Sequence, residues 1–221
     1  LNGRLLPRQE ARISPFDHGF LYGYGLFETV RAYATPGAKR LFRLDRHLRR
    51  LRASARALAM DGLPPDAELS RSAYAVLDSN ALTEARLRIT VSLGPGEITP
   101  EPPTKPEPTV FIAARAFTPP PSRVYEAGYS AVVFPHRVSS QSVLGQHKSV
   151  NYLLPILART QAKAEGADEA LLASEDGLLL EAPTANLFLV SQGQVMTAPV
   201  SESVLPGITR EAVLELASAL S

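Results

Sequence analysis

The sequence is marked first by what it lacks. It has no cysteine, which excludes disulfides, thiolate metal sites and a cysteine nucleophile. Its formal net charge is only +1, so no overall field recruits nucleic acid or an anionic membrane surface. No apolar run approaches the length that spans a bilayer, and the opening LNGRLLPRQE has no apolar core of a signal peptide. We therefore expect a soluble, cytoplasmic protein that binds neither nucleic acid nor a membrane.

Motifs of metal sites, serine nucleophiles and nucleotide sites are missing as well. The sequence has no HxxxH, HExxH or GxSxG pattern, and its four histidines are scattered along the chain. Gly19, Gly23 and Gly25 permit tight turns near a ligand. They do not form a dinucleotide-binding fingerprint, because no helix follows the strand at the required spacing. The sequence therefore indicates neither a metal site nor a Rossmann nucleotide site.

The apolar pattern indicates a mixed α/β protein with two domains. The chain has 221 residues and is 45% hydrophobic, enough for one large core or two smaller ones. Strand-like and helix-like segments come in blocks instead of alternating, which favours an α+β fold over a doubly wound sheet. The stretch TPPPSR is typical of a linker. We predict a small N-terminal α/β domain over residues 1–117, a linker over 118–123 and a larger C-terminal domain over 124–221.

Several secondary-structure elements follow from local patterns. LFETVRAY is rich in β-branched and aromatic residues and ARLRITVSLG alternates, so both predict strands, with a turn at Pro36-Gly37 after the first. Apolar residues at helical spacing after Asp45 predict a helix that Asp45 caps. Further helices are predicted over DAELSRSAYAVLDSN, over residues 151–165 and from Ile208 onward.

Two charged residues are candidates for chemistry. Lys148, in GQHKSVNYLL, stands where a strand-like segment meets a helical pattern. A lysine amine that burial or a neighbouring cation keeps neutral is a nucleophile towards carbonyls. Glu181 interrupts two apolar segments in LLLEAPTANLFLV, where its carboxylate is able to hold a cationic partner. The ordinary alternatives are a solvated lysine in the first turn of a helix and a glutamate at a strand edge or turn.

Two other segments are suited to binding an anion. In LPGITREAVLEL a Pro-Gly turn precedes a helix that begins with Ile208, Thr209 and Arg210, so backbone N–H groups and the Thr209 hydroxyl offer hydrogen bonds to a phosphate. The alternative is that Thr209 only caps the helix. RLFRLDRHLRRLRASAR holds seven arginines between Arg40 and Arg56. One of them is able to bind a phosphate bidentately; the alternatives are a solvated helix face and, more remotely, a nucleic-acid stripe.

Together these parts match the needs of a pyridoxal 5′-phosphate site, although each has an ordinary explanation when taken singly. A lysine forms the imine with the cofactor's aldehyde, and a carboxylate keeps the pyridine nitrogen protonated so that the ring acts as an electron sink. A helix N-terminus and an arginine bind the phosphate. The sequence therefore predicts pyridoxal 5′-phosphate as the cofactor.

The order of these motifs resembles the fold-type IV pyridoxal-phosphate enzymes, which include branched-chain and D-amino-acid aminotransferases and 4-amino-4-deoxychorismate lyase. DHGFLYGYGLFETVRAY is similar to the family's opening signature, and HLRRL, KSVNYL, GADEALL with LLLEAPTANLF, and VLPGITR are similar to its later motifs. The resemblance covers nearly the whole chain. It implies that Lys148 is the Schiff-base lysine, carried by the C-terminal domain, that Arg50 binds the cofactor phosphate and that Glu181 pairs with the pyridinium nitrogen.

The same resemblance implies further contacts with the cofactor. Leu205 packs on the ring, Ile208 and Thr209 hold the phosphate, and Tyr152 bonds the cofactor's phenolic oxygen. Lys148 also acts as the general base that moves the Cα proton once substrate has displaced it. The resemblance further implies a homodimer.

The sequence departs from the family pattern in a few places. Tyr24 stands where an aspartate is common, and Ala182-Pro183 replaces a version that contains glycine. The sequence stops at Ser221, within or just after the helix that follows the phosphate motif, where the family normally continues with further strands. Either residues follow Ser221, which we expect because an unpartnered amphipathic helix makes a poor C-terminus, or this is a shortened member.

Thr29 bears on which of the family's reactions takes place. A transaminase releases a 2-oxo acid, whereas the lyase eliminates an aromatic amine and then releases pyruvate. Branched-chain aminotransferases usually have glycine directly after FE, and the lyase has a threonine that relays a proton near the departing ring. Thr29 as a catalytic residue therefore favours the lyase, although threonine is also a good strand residue and other class IV members carry FET.

Leu93 and two arginines bear on the substrate. Leu93 stands where lyases and D-amino-acid enzymes often have arginine, which weighs against the lyase. Phe27, Arg31 and Arg88 are the candidates for substrate contact, the two arginines as substitutes for holding a carboxylate. We predict 4-amino-4-deoxychorismate lyase, of folate biosynthesis. The alternative is a class IV aminotransferase that acts on branched-chain or D-amino acids with a 2-oxo acid acceptor.

Overall fold

The chain forms two compact units. The computed structural model describes residues 1–35, 38–139 and 141–220. Unit 1 comprises Leu1–Thr118 and Lys148–Asn151, and unit 2 comprises Pro119–His147 and Tyr152–Ser221. The sequence analysis places Lys148 in the C-terminal domain, whereas its backbone contacts place it in unit 1.

Unit 1 is an antiparallel sheet with helices. Its elements are α1 (His18–Tyr22), β1 (Gly25–Thr35), β2 (Ala38–Leu41), α2 (Leu44–Ala57), α3 (Asp66–Ser79), β3 (Ala85–Ser92) and β4 (Thr109–Ala116). The four strands have the order β2-β1-β3-β4. The turn predicted at Pro36-Gly37 lies outside the described residues.

The two faces of this sheet differ because successive side chains of a strand point to opposite faces. One face packs with α2 and α3 into a single core. Its members include Leu26, Val30, Leu48, Leu51, Leu69, Leu77, Leu87, Ile89 and Val91. Fully burying an aliphatic side chain of this kind contributes about 1.5–3 kcal/mol relative to leaving it exposed. The opposite face carries the alternating positions Phe27, Thr29 and Arg31 of β1 and Arg86 and Arg88 of β3.

The start of α2 differs from the prediction. The helix begins at Leu44, and its N-cap residue is Arg43, which has a left-handed conformation with φ 48°. Asp45 is therefore not the cap. It lies in the first turn, where its negative charge still suits the positive end of the helix dipole. The buried face includes Leu48 and Leu51, as the apolar spacing predicts.

Unit 2 is built from three α-helices and short strands. They are α4 (Ser122–Ala127), β5 (Ala131–Val133), α5 (Leu153–Ala164), β6 (Glu169–Leu171), β7 (Glu181–Ala182), β8 (Ala185–Asn186), β9 (Leu189–Ser191), β10 (Gln194–Met196) and α6 (Ile208–Leu220). β5 and β6 are parallel, whereas β7 and β8, and β9 and β10, pair antiparallel. One core cluster consists of Phe134, Ala158, Ala162, Ala167, Ala170 and Leu172, and Leu180, Val204 and Ile208 are also buried.

The predicted linker and helices correspond only partly to these elements. The predicted linker over 118–123 runs into α4, because Ser122 already begins that helix. The helix predicted over residues 151–165 begins at Leu153, and α6 begins at Ile208 as the sequence suggests. Among the described residues, no helix has the length and apolar character needed to cross a membrane.

Candidate active site

Lys148 lies in an extended segment that pairs with the start of β1. The Phe27 N–H donates to the Lys148 carbonyl at 2.8 Å, and the Val150 N–H donates to the Gly25 carbonyl at 2.9 Å. These bonds are of the β-sheet type, and they join residues that are remote in sequence. They explain why residues 148–151 belong to unit 1, and they fix the backbone from which the lysine projects.

Asn151 fastens the other end of this segment. Its Nδ2 donates to the carbonyl of Gly23 at 2.9 Å. Gly23 has a φ of +67°, and a Cβ added there would lie 2.4 Å from Asn151 Oδ1. Only glycine therefore combines this backbone conformation with such close approach of the asparagine.

The side chain of Lys148 lies beside residues on the polar face of the sheet. Its Nζ is 4.6 Å from the centroid of the Phe27 ring, and the guanidinium carbon of Arg88 is 3.6 Å from the same centroid. Both cations are attracted to the π-electron face of the ring. The β1–β3 register places Thr29 opposite Arg88, whose Nε donates to Thr90 Oγ1 at 3.0 Å. Phe27, Arg88 and Lys148, three of the predicted site residues, thus meet within unit 1.

Arg31 is engaged by other partners. Its guanidinium forms an ion pair with Glu84 and lies 3.6 Å from the centroid of the Phe117 ring. A hydrogen bond from the Ala34 backbone and another from Arg31 lower the pKa of Glu84, which keeps this pair ionised. Arg88, which lies over the same ring as Lys148, is therefore nearer to Lys148 in its contacts than Arg31 is.

Arg50 pairs with a buried glutamate of β1. Its Nε and Nη2 donate to the two carboxylate oxygens of Glu28 at 2.8 and 2.6 Å. His47, one turn earlier on α2, places Nδ1 2.6 Å from Glu28 Oε2. Burial raises the pKa of Glu28, but the hydrogen bonds from Arg50 and His47 outweigh it and hold that pKa below its ordinary value. The carboxylate is therefore ionised at neutral pH and fixes the plane of the guanidinium.

The sequence analysis missed Glu28 and His47. Glu28 is only 1% exposed, and it lies between the core residues Leu26 and Val30 on the same face of β1. A charge at a core-facing strand position is expensive unless it is paired and hydrogen-bonded. That rule applied to FETV would have predicted a cationic partner for Glu28.

In unit 2, Glu181 is held by hydrogen bonds at the β7–β8 pair. It lies opposite Asn186 in the register. Its Oε2 accepts hydrogen bonds from Asn186 Nδ2 at 3.0 Å and from the Leu205 N–H at 3.2 Å. Asn186 Nδ2 also lies 3.0 Å from the Leu205 carbonyl, to which it donates. Asn186, which the sequence analysis did not single out, therefore joins two predicted cofactor residues, Glu181 and Leu205.

The start of α6 follows directly. Ile208 is buried and Thr209 is exposed in the first turn. A Cβ added at Gly207 would lie 1.9 Å from Asn186 Oδ1, so the close approach of this loop to Asn186 requires glycine. The first N–H groups of a helix have no intrahelical acceptor, and the helix dipole attracts an anion there. The loop thus presents a backbone cradle for a phosphate next to a fixed carboxylate, which fits pyridoxal 5′-phosphate.

Tyr152 precedes α5, and its hydroxyl donates to the Pro183 carbonyl at 2.7 Å. This bond ties the residue to the turn between β7 and β8. Tyr152, Glu181 and Leu205 are thereby brought to one region of unit 2, and the Ala182-Pro183 variation of the sequence lies in that region.

Comparison with known proteins identifies the family of the chain. The family model for amino-transferase class IV matches residues 25–221. A putative branched-chain-amino-acid aminotransferase of Methanocaldococcus jannaschii is 38% identical over 218 residues, which are 98% of this chain and 73% of that protein. The branched-chain amino acid aminotransferase of Escherichia coli has a similar structure, with a TM-score of 0.94 at 29% identity over 99% of this chain and 73% of that one.

Two other solved structures bear on the cofactor and on the fold. The T.th. branched-chain amino acid aminotransferase, complexed with N-(5′-phosphopyridoxyl)-L-glutamate, has a TM-score of 0.89 at 31% identity over 100% of this chain and 72% of that one. A putative 4-amino-4-deoxychorismate lyase of Legionella pneumophila has a TM-score of 0.83 at 24% identity, over 99% of this chain and 76% of that one. At that identity the likeness shows the fold alone.

The comparisons bear on the predicted reaction, fold and cofactor. They favour the aminotransferase, the alternative of the sequence analysis, over the lyase. Thr29 carries less weight than the sequence analysis gave it, because threonine is an ordinary residue in a strand such as β1. The predicted mixed α/β fold of type IV and the predicted cofactor are confirmed. The chain belongs to the class IV aminotransferases and is a pyridoxal 5′-phosphate-dependent enzyme.

Proposed function

We propose that the protein is a branched-chain amino acid aminotransferase that uses a 2-oxo acid as amino-group acceptor. The observation that carries this proposal is the 38% identity, over 98% of the chain, to a protein of that name. The likeness to the branched-chain amino acid aminotransferase of Escherichia coli, with a TM-score of 0.94, also supports it.

Lys148 is the central residue of this proposal. Pyridoxal 5′-phosphate, when bound, supplies an aldehyde that takes the amino group and a ring that withdraws electrons from the substrate Cα. Lys148 Nζ holds the cofactor, and once the substrate has taken its place, Nζ moves the proton on the substrate Cα. The β-type hydrogen bonds of residues 148–151 support this role, since a proton carrier must project from a fixed backbone.

The remaining assigned residues hold the cofactor. Glu181, oriented by Asn186, keeps a proton on the pyridine nitrogen, and Leu205 packs on the ring. The phosphate is held by a separate set of residues: Arg50, Ile208 and Thr209. In the same proposal Tyr152 bonds the cofactor's phenolic oxygen, for which its single hydroxyl proton has to leave the Pro183 carbonyl.

Two residues of the polar sheet face orient the substrate. Arg88 holds the substrate carboxylate, and its position on the Phe27 ring, 3.6 Å from the centroid, supports this role because it lies on the same ring as Lys148. Thr29, the catalytic residue of the lyase hypothesis, has no departing aromatic ring to protonate in a transamination. Its place opposite Arg88 supports a different role, in which Thr29 lines the same site.

We also propose a homodimer in the cytoplasm. The first turns of α5 expose three large apolar side chains: Leu153 at 69%, Ile156 at 55% and Leu157 at 51%. Contiguous apolar surface of this kind marks sites of protein association. Light scattering on the eluate of a sizing column tests the dimer, and a monomer at micromolar concentration would contradict it.

Turnover assays separate the candidate reactions. The full chain with pyridoxal 5′-phosphate is given L-leucine, L-isoleucine or L-valine with 2-oxoglutarate, and glutamate is measured. Parallel reactions contain D-alanine with 2-oxoglutarate, or aminodeoxychorismate with no 2-oxo acid. We expect glutamate from the branched-chain substrates. Many turnovers of aminodeoxychorismate to 4-aminobenzoate and pyruvate would establish the lyase instead, and turnover of D-alanine alone would move the substrate to D-amino acids.

The role of Glu181 has its own test. Glu181→Ala should still bind cofactor, because the lysine and the phosphate contacts remain, but should lose most turnover because the ring withdraws electrons less strongly. Glu175→Ala, at an exposed position of the same unit, is the matched control and should keep its turnover. Equal turnover of both variants would remove Glu181 from its assigned role.

A further inference from the structure

We infer that Glu28 and His47 are positioning residues that hold Arg50 ready for the cofactor phosphate. The inference rests on the proposed role of Arg50 in phosphate binding, and it deepens that role. The three side chains come from β1 and from successive turns of α2, and all three meet at one carboxylate. They are called the Glu28 triad below.

The geometry of the triad fixes one edge of the guanidinium. Glu28 accepts from Nε and Nη2, the two nitrogens on one side of the planar group. Because the group is rigid and planar, the Nη1 side must then point away from the carboxylate in a set direction. A phosphate binds most strongly to arginine through such a directed fork.

His47 fixes the carboxylate in turn. Its Nδ1 lies 2.6 Å from Glu28 Oε2, the same oxygen that accepts from Arg50 Nη2. His47 and Arg50 are three residues apart on α2 and therefore lie on the same helix face. With Nδ1 carrying a proton, the histidine donates to the carboxylate and prevents it from rotating away from the arginine.

The burial of the triad argues for a positional role and against a purely stabilising one. The side chains of Glu28, Arg50 and His47 are 1%, 9% and 8% exposed. The cost of removing an ion pair from water often matches what the pair returns, and an apolar pair of similar size is often as stable or more stable. By contrast, Arg52 on the same helix pairs with Asp66 at side-chain exposures of 25% and 53%, where little desolvation is involved.

A side chain of Arg50 that is ordered before the phosphate arrives binds the phosphate more tightly. A long arginine side chain loses much of its rotamer freedom when it binds a ligand. In the Glu28 triad that freedom is lost on folding, so the phosphate meets a side chain that is already ordered. The negative charge of Glu28 acts in the opposite direction, because it weakens the attraction of Arg50 for an anion. The two effects predict opposite results when Glu28 is neutralised.

The test compares cofactor affinity with and without the phosphate. Dissociation constants of pyridoxal 5′-phosphate and of pyridoxal are measured by absorbance titration of the cofactor-depleted full chain, and inorganic phosphate is used as a competitor. The dissociation constant of pyridoxal divided by that of pyridoxal 5′-phosphate measures the contribution of the phosphate to affinity. We expect Glu28→Gln to reduce that ratio by about ten- to hundredfold, the range of a charge-assisted hydrogen bond.

Two histidine variants and a control sharpen the result. His47→Ala should reduce the ratio in the same direction, whereas His47→Asn, which keeps a donor near the Nδ1 position, should restore most of it. Asp66→Asn removes the acidic partner of Arg52 on the same helix and should leave the ratio unchanged. If Glu28→Gln does not fold, Glu28→Asp carries the test. It keeps the charge but draws the carboxylate back by one methylene, and it should lower the ratio too.

Two outcomes would overturn the inference. A tighter hold on phosphate in Glu28→Gln would show that the carboxylate only opposes the anion. An equal loss of affinity for both cofactor forms, with an unchanged ratio, would show a merely structural role. If the wild-type chain bound neither form of the cofactor, the proposed function itself would fail. The wild-type titration alone shows this, so it is not confused with a failure of the inference, which only the variants show.

Discussion

Units 1 and 2 hold their candidate site residues by different means. In unit 1, Lys148 is held by β-type hydrogen bonds to β1, and Arg50 is fixed by a buried ion pair. Lys148 pairs with β1 of the four-stranded sheet, and Arg50 belongs to α2, which packs on that sheet. The core between them contains buried leucine, isoleucine and valine. In unit 2, Glu181 sits on a strand pair of two residues each, and its orientation relies on Asn186 and the Leu205 backbone.

The cores of the two units explain this difference. The core cluster of unit 2 is mostly alanine, with Phe134 and Leu172 as its large members, and Leu180, Val204 and Ile208 are buried outside that cluster. A core of small side chains buries less apolar area and contributes less hydrophobic stabilisation. Unit 1 is therefore able to bear the desolvation of a buried charge cluster, whereas unit 2 places its carboxylate with local hydrogen bonds and a glycine that permits close approach.

The largest expected effect tests the lysine of unit 1. Lys148→Ala should lower turnover at least about 10²–10⁴-fold, because proton transfer by a positioned side chain contributes that much. It should also abolish the visible absorbance of bound cofactor. Lys105→Ala, at an exposed position in the same unit, is the control. Normal turnover by the Lys148 variant would refute its assignment.

Acid stability should distinguish the buried carboxylate of unit 1 from an exposed one of unit 2. The pKa of Glu28 is held low, so its stabilisation is complete above the unfolded value of about 4.3 and is lost as pH falls through the lower folded pKa. Glu28→Gln should remove this acid dependence and cost about 3–5 kcal/mol at neutral pH, because Arg50 stays buried without its counter-ion.

Asp168→Asn in unit 2 is the matched comparison. Hydrogen bonds from the Ser130 backbone and hydroxyl also lower the pKa of Asp168, but this residue is exposed. Its substitution should change the acid midpoint of unfolding little. Denaturant titrations from pH 2 to 7 measure both effects, and equal acid dependence in the two variants would contradict the contrast between the units.

Core truncations provide a second comparison. Leu87→Ala, at a position with 0% exposure, should cost about 2–5 kcal/mol. Leu172→Ala in unit 2, at 7% exposure, should cost less, because the smaller core relaxes more readily around the lost volume. Hydrogen exchange read separately over residues of each unit measures the two losses. A larger loss for Leu172→Ala would reverse the contrast.

The smallest expected effect concerns the segment that carries Lys148. Asn151→Ala removes one hydrogen bond to Gly23 and should cost about 0.5–1.5 kcal/mol, with a loss of turnover that exceeds the loss of folded protein because Lys148 is less well held. Asn80→Ala removes a similar bond, to the Val76 carbonyl at the end of α3, and serves as control. Its turnover should stay unchanged, and an equal loss in both variants would point to stability alone.

Prediction from the sequence succeeded where the signal was local. The apolar spacing of α2 and α3, the strand character of β1 and β3 and the start of α6 all lie within single segments. Asp45 was wrongly taken as a helix cap, because the preceding Arg43 adopts a left-handed conformation that residue type alone does not favour. Thr29 pointed to the lyase whereas the comparisons favour the aminotransferase, and one residue in a strand has several physical explanations.

The sequence by itself determined the family, the cofactor and the identities of the candidate residues, because the order of the motifs and the chemistry of each side chain are properties of the sequence. Only the tertiary structure decided that residues 148–151 join unit 1, that Glu28, His47 and Arg50 meet at one carboxylate, and that Asn186 links Glu181 to Leu205. These contacts join residues far apart in sequence or on different elements. Their partners are set by strand register and helix packing, which local periodicity does not specify.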